Sequence, residues 1–283
     1  MQTDALEIIK RLAYWVTPVH VICIVGLCLF AGWLLRTSLG RKALIDSPLR
    51  RNKMPIYAPF IVFFLWLSSA AIIRSVVVWI LGDQRGWKGD FLDNVVQCAG
   101  SLITIVFIIL LVRATFARRL RGFGLNPRTL WKDVALAALN LLAAWPMVLA
   151  MVILTATLGK LFYGPTYEIE QHDELKLIVE SSRLVLRVLI FVLAVLIAPL
   201  LEEMLFRGLF QTMIRSFLVK PWLAVTSTSV LFAVIHQNVG HWPALFVLAM
   251  CLGYAYEKSG SLLRPIFIHA FFNGVTIAAA LCQ

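Results

Sequence analysis

Residues 184–208 read LVLRVLIFVLAVLIAPLLEEMLFRG. Eighteen mostly apolar residues run from Leu184 to Leu201, two adjacent carboxylates follow, and apolar residues then resume around an arginine. About 20 apolar residues cross the hydrocarbon core of a bilayer, so the stretch predicts a membrane helix. Ionisable groups at membrane depth are costly and usually functional. The same segment therefore places the chain in lipid and marks where its chemistry lies.

Other runs of this kind lie on both sides of it. They are 12–35, 58–81 (interrupted by Arg74), 94–112 and 134–158, then the shorter 222–236, 242–256 and 265–281. With 184–201 they predict an all-α polytopic membrane protein of about eight transmembrane helices. Neither an internal repeat nor a low-complexity segment divides it, so 1–283 reads as a single membrane domain. Within it, amino-terminal helices over 1–160 carry no motif, and the part that carries the motifs read below spans 184–280. The first run lacks a short apolar region with a small-residue cleavage site, and is expected to be retained.

Composition agrees. Sixty per cent of the residues are hydrophobic and 14% are charged, against roughly a quarter charged in a soluble domain; mean hydropathy is +0.85. A net charge of +11 raises nucleic acid as a partner. Binding phosphate backbones, however, takes Lys and Arg on one soluble face, and here they fall between apolar runs. The expected partners are the lipid bilayer and membrane-associated molecules, with no nucleic acid. Five cysteines, none in a CxxC pair, lie in or beside apolar runs and read as small hydrophobes.

The loops carry the orientation. Arg36, Arg41, Lys42, Arg50, Arg51 and Lys53 crowd the first connection, and Arg113, Arg118, Arg119, Arg121, Arg128 and Lys132 the third. The second, 82–93, is nearly neutral, and the fourth, 159–183, is rich in acids. Lys and Arg in short loops mark the cytoplasmic side. Loops one and three are expected inside, and both termini outside, of a cell inner membrane.

Three elements in the carboxy-terminal third carry ionisable or amide groups. In the first, Glu203 and Arg207 are spaced i, i+4 with the acid first, on one helical face in the favourable order. Their pairing leaves Glu202, about 100° round the helix, pointing elsewhere. Two neighbouring carboxylates tend to raise the pKa of one, which makes a carboxyl group a useful acid or base near neutral pH. The second is Phe232-Ala233-Val234-Ile235-His236, where a lone His at a helix end also fits an interfacial role. The third is His269-Ala270-Phe271-Phe272-Asn273, whose His and Asn share a face of the last helix. His241 reads as a loop residue, His20 as interfacial, and Arg74 as structural, paired or snorkelling.

Glu-Glu-x-x-x-Arg, Phe-x-x-x-His and His-x-x-x-Asn, in this order in apolar helices, resemble the CPBP family of CAAX prenyl-protein endoproteases and their bacterial relatives. The likeness covers roughly 184–280 and includes the Gly253–Leu262 stretch ahead of the last motif. It implies an eight-helix fold that cleaves a peptide bond of a membrane-associated protein or peptide. It further implies Glu202 as general base and His236 as a group that positions or activates water. His269 and Asn273 would stabilise the oxyanion, with Glu203 and Arg207 holding the site together. The resemblance also implies a metal-free glutamate-dependent protease with no cofactor. Two His and a Glu leave zinc as the alternative, although the sequence has no His-Glu-x-x-His helix. A non-proteolytic binding protein, such as a bacteriocin-immunity factor, and a small transporter are the competing classes.

One expectation sits awkwardly. If 222–236 and 265–281 start at the same membrane face, then at 1.5 Å per residue His236 and His269 differ in depth by about 15 Å. Tilt, a kink at Pro199 or a re-entrant stretch within 205–221 would be needed to bring them together.

Overall fold

The computed structural model describes residues 18–218, 220–236 and 238–282. Its helices are α1 (Pro18–Arg36), α2 (Ala58–Leu81), α3 (Trp87–Thr115), the short α4 (Arg119–Phe123), α5 (Leu130–Tyr163), the short α6 (Asp173–Glu180), α7 (Leu184–Phe217), α8 (Pro221–Val234), α9 (Trp242–Ser259) and α10 (Leu263–Leu281). No strand occurs among the described residues. Seven of the helices are long and apolar enough to cross a membrane, and α8 is a shorter apolar one. The protein is an all-α, multi-pass membrane protein, close to the eight helices expected. Positions 12–17 of the first apolar run lie outside the described residues.

The largest departure from the expected boundaries is α7. The run read as 184–201 continues as helix to Phe217, so 205–217 is not re-entrant. Carboxylates and an arginine suggested a helix end, but here they are inside the protein. All eight residues from Met204 to Gln211 are buried, Arg207 and Gln211 included. They pack against Ile108 and Val112 of α3, Phe232 of α8 and Tyr256 of α9. Helix α7 is thus the central post. Its carboxy-terminal half is surrounded by protein, whereas Trp79 of α2 and Leu161 of α5 face outward at 85% and 74% exposure.

Hydrogen bonds between loops sort the connections into two sides. The first and third loops meet in a short antiparallel bridge between Asn52 and Phe116. Lys53 N–H donates to Thr115 O at 2.8 Å and Ala117 N–H to Arg51 O at 3.1 Å. The basic loops therefore share one face. On the other, Asn238 and His241 donate to Glu170 O at 3.3 and 2.8 Å, and the Arg183 guanidinium lies over Trp87. Arg74 reaches this face too, pairing with Asp83 at 3.1 Å and with Asp93, which is the structural role expected of it.

The basic face is anchored to α7 through Phe123 at the end of α4. Its ring is fully buried, lies edge-on to Phe116 at 5.2 Å, and occupies the space where Gly208 lacks a side chain. A Cβ at position 208 would lie 2.1 Å from the Phe123 ring, which is itself fully buried. Overpacking of a closed core costs about 1–3 kcal/mol. Gly208→Ala is therefore expected to lower the thermal midpoint in detergent by several degrees. A midpoint within a degree of wild type would show that the Phe123 contact is not tight.

Candidate active site

The two carboxylates of α7 have different surroundings. Glu203 is fully buried, and its Oε1 accepts Arg207 Nη1 at 2.6 Å and His269 Nδ1 at 2.9 Å. Arg207, itself 1% exposed, also donates from Nη2 to Ala249 O at 3.3 Å and lies 4.5 Å above the Phe232 ring. A charge with no water around it has to be paired and hydrogen-bonded, and one glutamate oxygen meets both the guanidinium and the imidazole here. The i, i+4 pairing read from the sequence is present. Glu202 instead faces a cavity of about 1450 Å3 lined also by His236, His269 and Asn273. Its Oε2 is 3.9 Å from His269 Nε2, beyond direct bonding distance but within the span that one water can bridge.

The imidazoles are oriented by their second nitrogens. His236 Nδ1 lies 2.7 Å from Phe232 O. A carbonyl only accepts, so this nitrogen carries the proton and Nε2 presents a lone pair. His236 O in turn accepts Trp242 Nε1 at 2.7 Å. His269 spans the two glutamates, with Nδ1 on Glu203 and Nε2 towards Glu202.

Both imidazoles pack on one ring, since Phe232 is 4.8 Å from His236 and 5.8 Å from His269. The expected mismatch in depth does not arise, for two reasons. Helix α8 has 14 residues, about 21 Å at 1.5 Å each. In addition, α10 starts from a turn inside the protein, where Leu262 is fully buried and its N–H bonds Gly124 O at 2.9 Å. The assumption that both helices begin at the membrane surface was the error.

Asn273 is placed by a proline. Residues 193–197 form a π-helical turn in which Ala198 N–H reaches back five residues to Leu193 O. In that register the Ala194 carbonyl would pair with the nitrogen of position 199, and Pro199 has no hydrogen to give. Asn273 Nδ2 supplies it instead, at 2.8 Å from Ala194 O. The contact ties α10 to α7 about two turns before Glu202 and leaves the second amide hydrogen of Asn273 without a partner among the described residues. Short π segments inside helices are often found at functional sites, and α7 has a second one over Met204–Gln211.

Sequence reading missed His172, which also lines the cavity. Its ring stacks on His241 at 4.3 Å and stands 6.4 Å from His236. Burial, then the imidazoles of His241 and His236, hold its pKa below the usual histidine range. It lies in an acidic loop between α5 and α6, with no periodic pattern to single it out. The cavity wall carries Glu168, Glu170, Asp173 and Glu174 beside Glu202, and no Lys or Arg. No group of three His, Cys, Asp or Glu side chains among the described residues is arranged to hold a metal ion.

The role of Pro199 can be measured with a double-mutant cycle. Asn273→Ala should cost about 1–3 kcal/mol, the penalty for leaving a buried carbonyl unpaired. With Pro199→Ala an N–H returns to position 199, and the same Asn273→Ala change should then cost at least about 1 kcal/mol less. Additive costs would show that Asn273 does not serve a carbonyl orphaned by the proline.

Residues 184–275, which hold all six of the residues singled out above, match the family described as Type II CAAX prenyl endopeptidase Rce1-like. The chain is 27% identical over 229 residues to the membrane-embedded CAAX protease MroQ of Staphylococcus aureus, covering 75% of this chain and 88% of that one. It is also 37% identical over 78 residues to an uncharacterised 24.3 kDa protein of Escherichia coli, and that match spans 26% of the present chain and only 36% of the relative. No solved structure matches. From the first residue of α7 to the second turn beyond His269, the chain is similar to Rce1-like type II CAAX prenyl endopeptidases.

Proposed function

We propose that the protein is an intramembrane endopeptidase that hydrolyses a peptide bond of a membrane-associated protein or peptide. One observation carries the reading. A carboxylate, Glu202, faces a large cavity beside an imidazole whose far nitrogen is fixed on a buried, arginine-paired glutamate. Glu203 and Arg207 are supporting residues that hold His269, and the four groups around the cavity perform the chemistry.

Water held between Glu202 Oε2 and the imidazole lone pair of His236 attacks the scissile carbonyl carbon. Its proton passes to Glu202, and the carbonyl electron pair moves onto oxygen. The second amide hydrogen of Asn273 and a proton on His269 Nε2 donate to that oxyanion. Each fixed donor of this kind is typically worth about 3–4 kcal/mol. Collapse of the intermediate breaks the C–N bond, and Glu202 returns the proton to the leaving amine. Position 202 thus acts first as base and then as acid.

The mechanism needs no metal ion or cofactor. A zinc ion would have to take Glu202 and the Nε2 atoms of His236 and His269, displacing the water that Glu202 activates. Glu202→Gln is expected to abolish cleavage of a membrane-peptide library in proteoliposomes, a loss of at least about 10³-fold, while helicity is unchanged. Prolonged chelation followed by gel filtration should leave most of the wild-type activity. Full activity in Glu202→Gln would remove the general base. Loss of activity with one bound zinc, restored when zinc is returned, would replace this mechanism with a metal-dependent one.

We also propose that the basic face, with loops 36–57 and 113–133, lies in the cytoplasm of a cell with the protein in its inner membrane. Both termini then lie on the opposite side, which is also where the cavity meets the acidic loop. Single cysteines in loop 36–57 should resist an impermeant thiol reagent in intact cells, whereas cysteines in 164–172 should react. The reverse pattern would invert the topology.

A further inference from the structure

The basic face holds a second concave site, unconnected with the cavity around Glu202. Its volume is about 330 Å3, and its lining consists of Arg113, Arg118, Arg119, Arg121 and Leu120. That size lies at the lower end of small-ligand pockets, roughly 300–1,000 Å3. Four arginines line it, and none of them meets a carboxylate among the described residues. All four are exposed. Arg50, Arg207, Arg215 and Arg264, by contrast, each pair with a carboxylate.

A basic loop orients a membrane protein whatever its shape. This one is held in shape. The backbone turns at Arg119 with φ 50, a left-handed conformation uncommon for a non-glycine residue. The turn lies at the first residue of α4, just after α3, and Arg113 and the three arginines 118, 119 and 121 line one concavity. The hydrogen bonds from loop 36–57 then bring the backbone of Arg51 and Lys53 alongside, adding like charge to the same face. Such crowding of like charge is unfavourable unless an anion is shared. The level is also informative. Arg113 stands one residue beyond Val112, the last residue of the apolar run 94–112, so the pocket lies where phosphate headgroups lie.

We propose that this pocket binds the phosphate headgroup of an anionic phospholipid. Guanidinium forks match phosphate oxygens two at a time, and basic pockets at the cytoplasmic ends of membrane helices suit anionic headgroups. Leu120 provides an apolar wall for the glycerol. Because α4 ends in Phe123, wedged against Gly208 of α7, a lipid held here would also brace the helix that carries the two glutamates.

The test uses the full-length protein in nonionic detergent with a fluorescent phosphatidylglycerol, read by anisotropy. Saturable binding is expected, displaced by unlabelled phosphatidylglycerol but not by phosphatidylcholine. Inorganic phosphate at the same concentration should not displace it. The variant R118Q/R119Q/R121Q should bind at least about tenfold more weakly. R41Q/K42Q/R128Q removes as much charge from the same face, outside the pocket, and should stay within about twofold of wild type. Equal losses in the two variants would overturn the proposal in favour of diffuse surface charge. Displacement by phosphatidylcholine would also overturn it, as would displacement by inorganic phosphate, which would indicate a soluble phosphate ligand. The competition series requires only the wild type, so it decides the matter even if the triple variant does not fold.

Discussion

A glutamate buried in a membrane protein has to be neutralised locally, and at Glu203 this requirement organises the carboxy-terminal half of the molecule. Arg207 answers it from one turn away on the same helix and His269 from α10, both on a single oxygen. Removing one member of such a set leaves an uncompensated buried charge, at a cost of about 3–5 kcal/mol. The pairing therefore fixes where α10 lies against α7 and which nitrogen of His269 turns towards Glu202. Arg207 extends the constraint further, since its Nη2 donates to the backbone of α9 and its face rests on Phe232 of α8. Four helices are thus registered by one ion pair, and Glu202, left out of it, is the carboxylate that faces open space.

Much of this was legible in the sequence because helical spacing is local. The i, i+4 relation of Glu203 and Arg207 gave their pairing, and the 100° offset gave the separate direction of Glu202. Runs of apolar residues gave the helices, most of them to within a few residues. The failures were of longer range. The end of the apolar run at Leu201 concealed a helix that continues to Phe217, since lipid sets no limit on a helix buried among other helices. His172 had no periodicity to mark it, because its place depends on how loop 159–183 folds back over α8 and α9. Pro199 was visible as a possible kink. That it would orphan the carbonyl of Ala194, and so station Asn273, required the π register of residues 193–197, which no spacing rule supplies.

The amino-terminal helices carry no motif, yet the core leans on them. Glu257 of α9 is fully buried and takes Arg215 at 2.9 Å and Arg50 of the first loop at 3.6 Å. Arg50 also donates to Tyr256 O at 2.8 Å and lies 3.5 Å over the Tyr256 ring. Asp133, 1% exposed at the start of α5, accepts from Ser261 at 2.6 Å and from Arg264 at 3.0 Å. These bonds hold the turn from which α10 begins, and hence the height at which His269 stands. The helices without a motif contribute position to the helices that have one.

These long-range pairs have a consequence in time. Chains emerge from the ribosome in order of sequence, so Arg50 and Asp133 are made more than a hundred residues before Glu257, Ser261 and Arg264. Helix α7, with its two glutamates, likewise enters the membrane before α10 exists. Until α10 follows, Glu203 has Arg207 but no imidazole, Ala194 has no amide, and Glu202 stands alone. A nascent chain can therefore insert most of its helices before the groups of the proposed active site are assembled, and the site is completed only by the last helix.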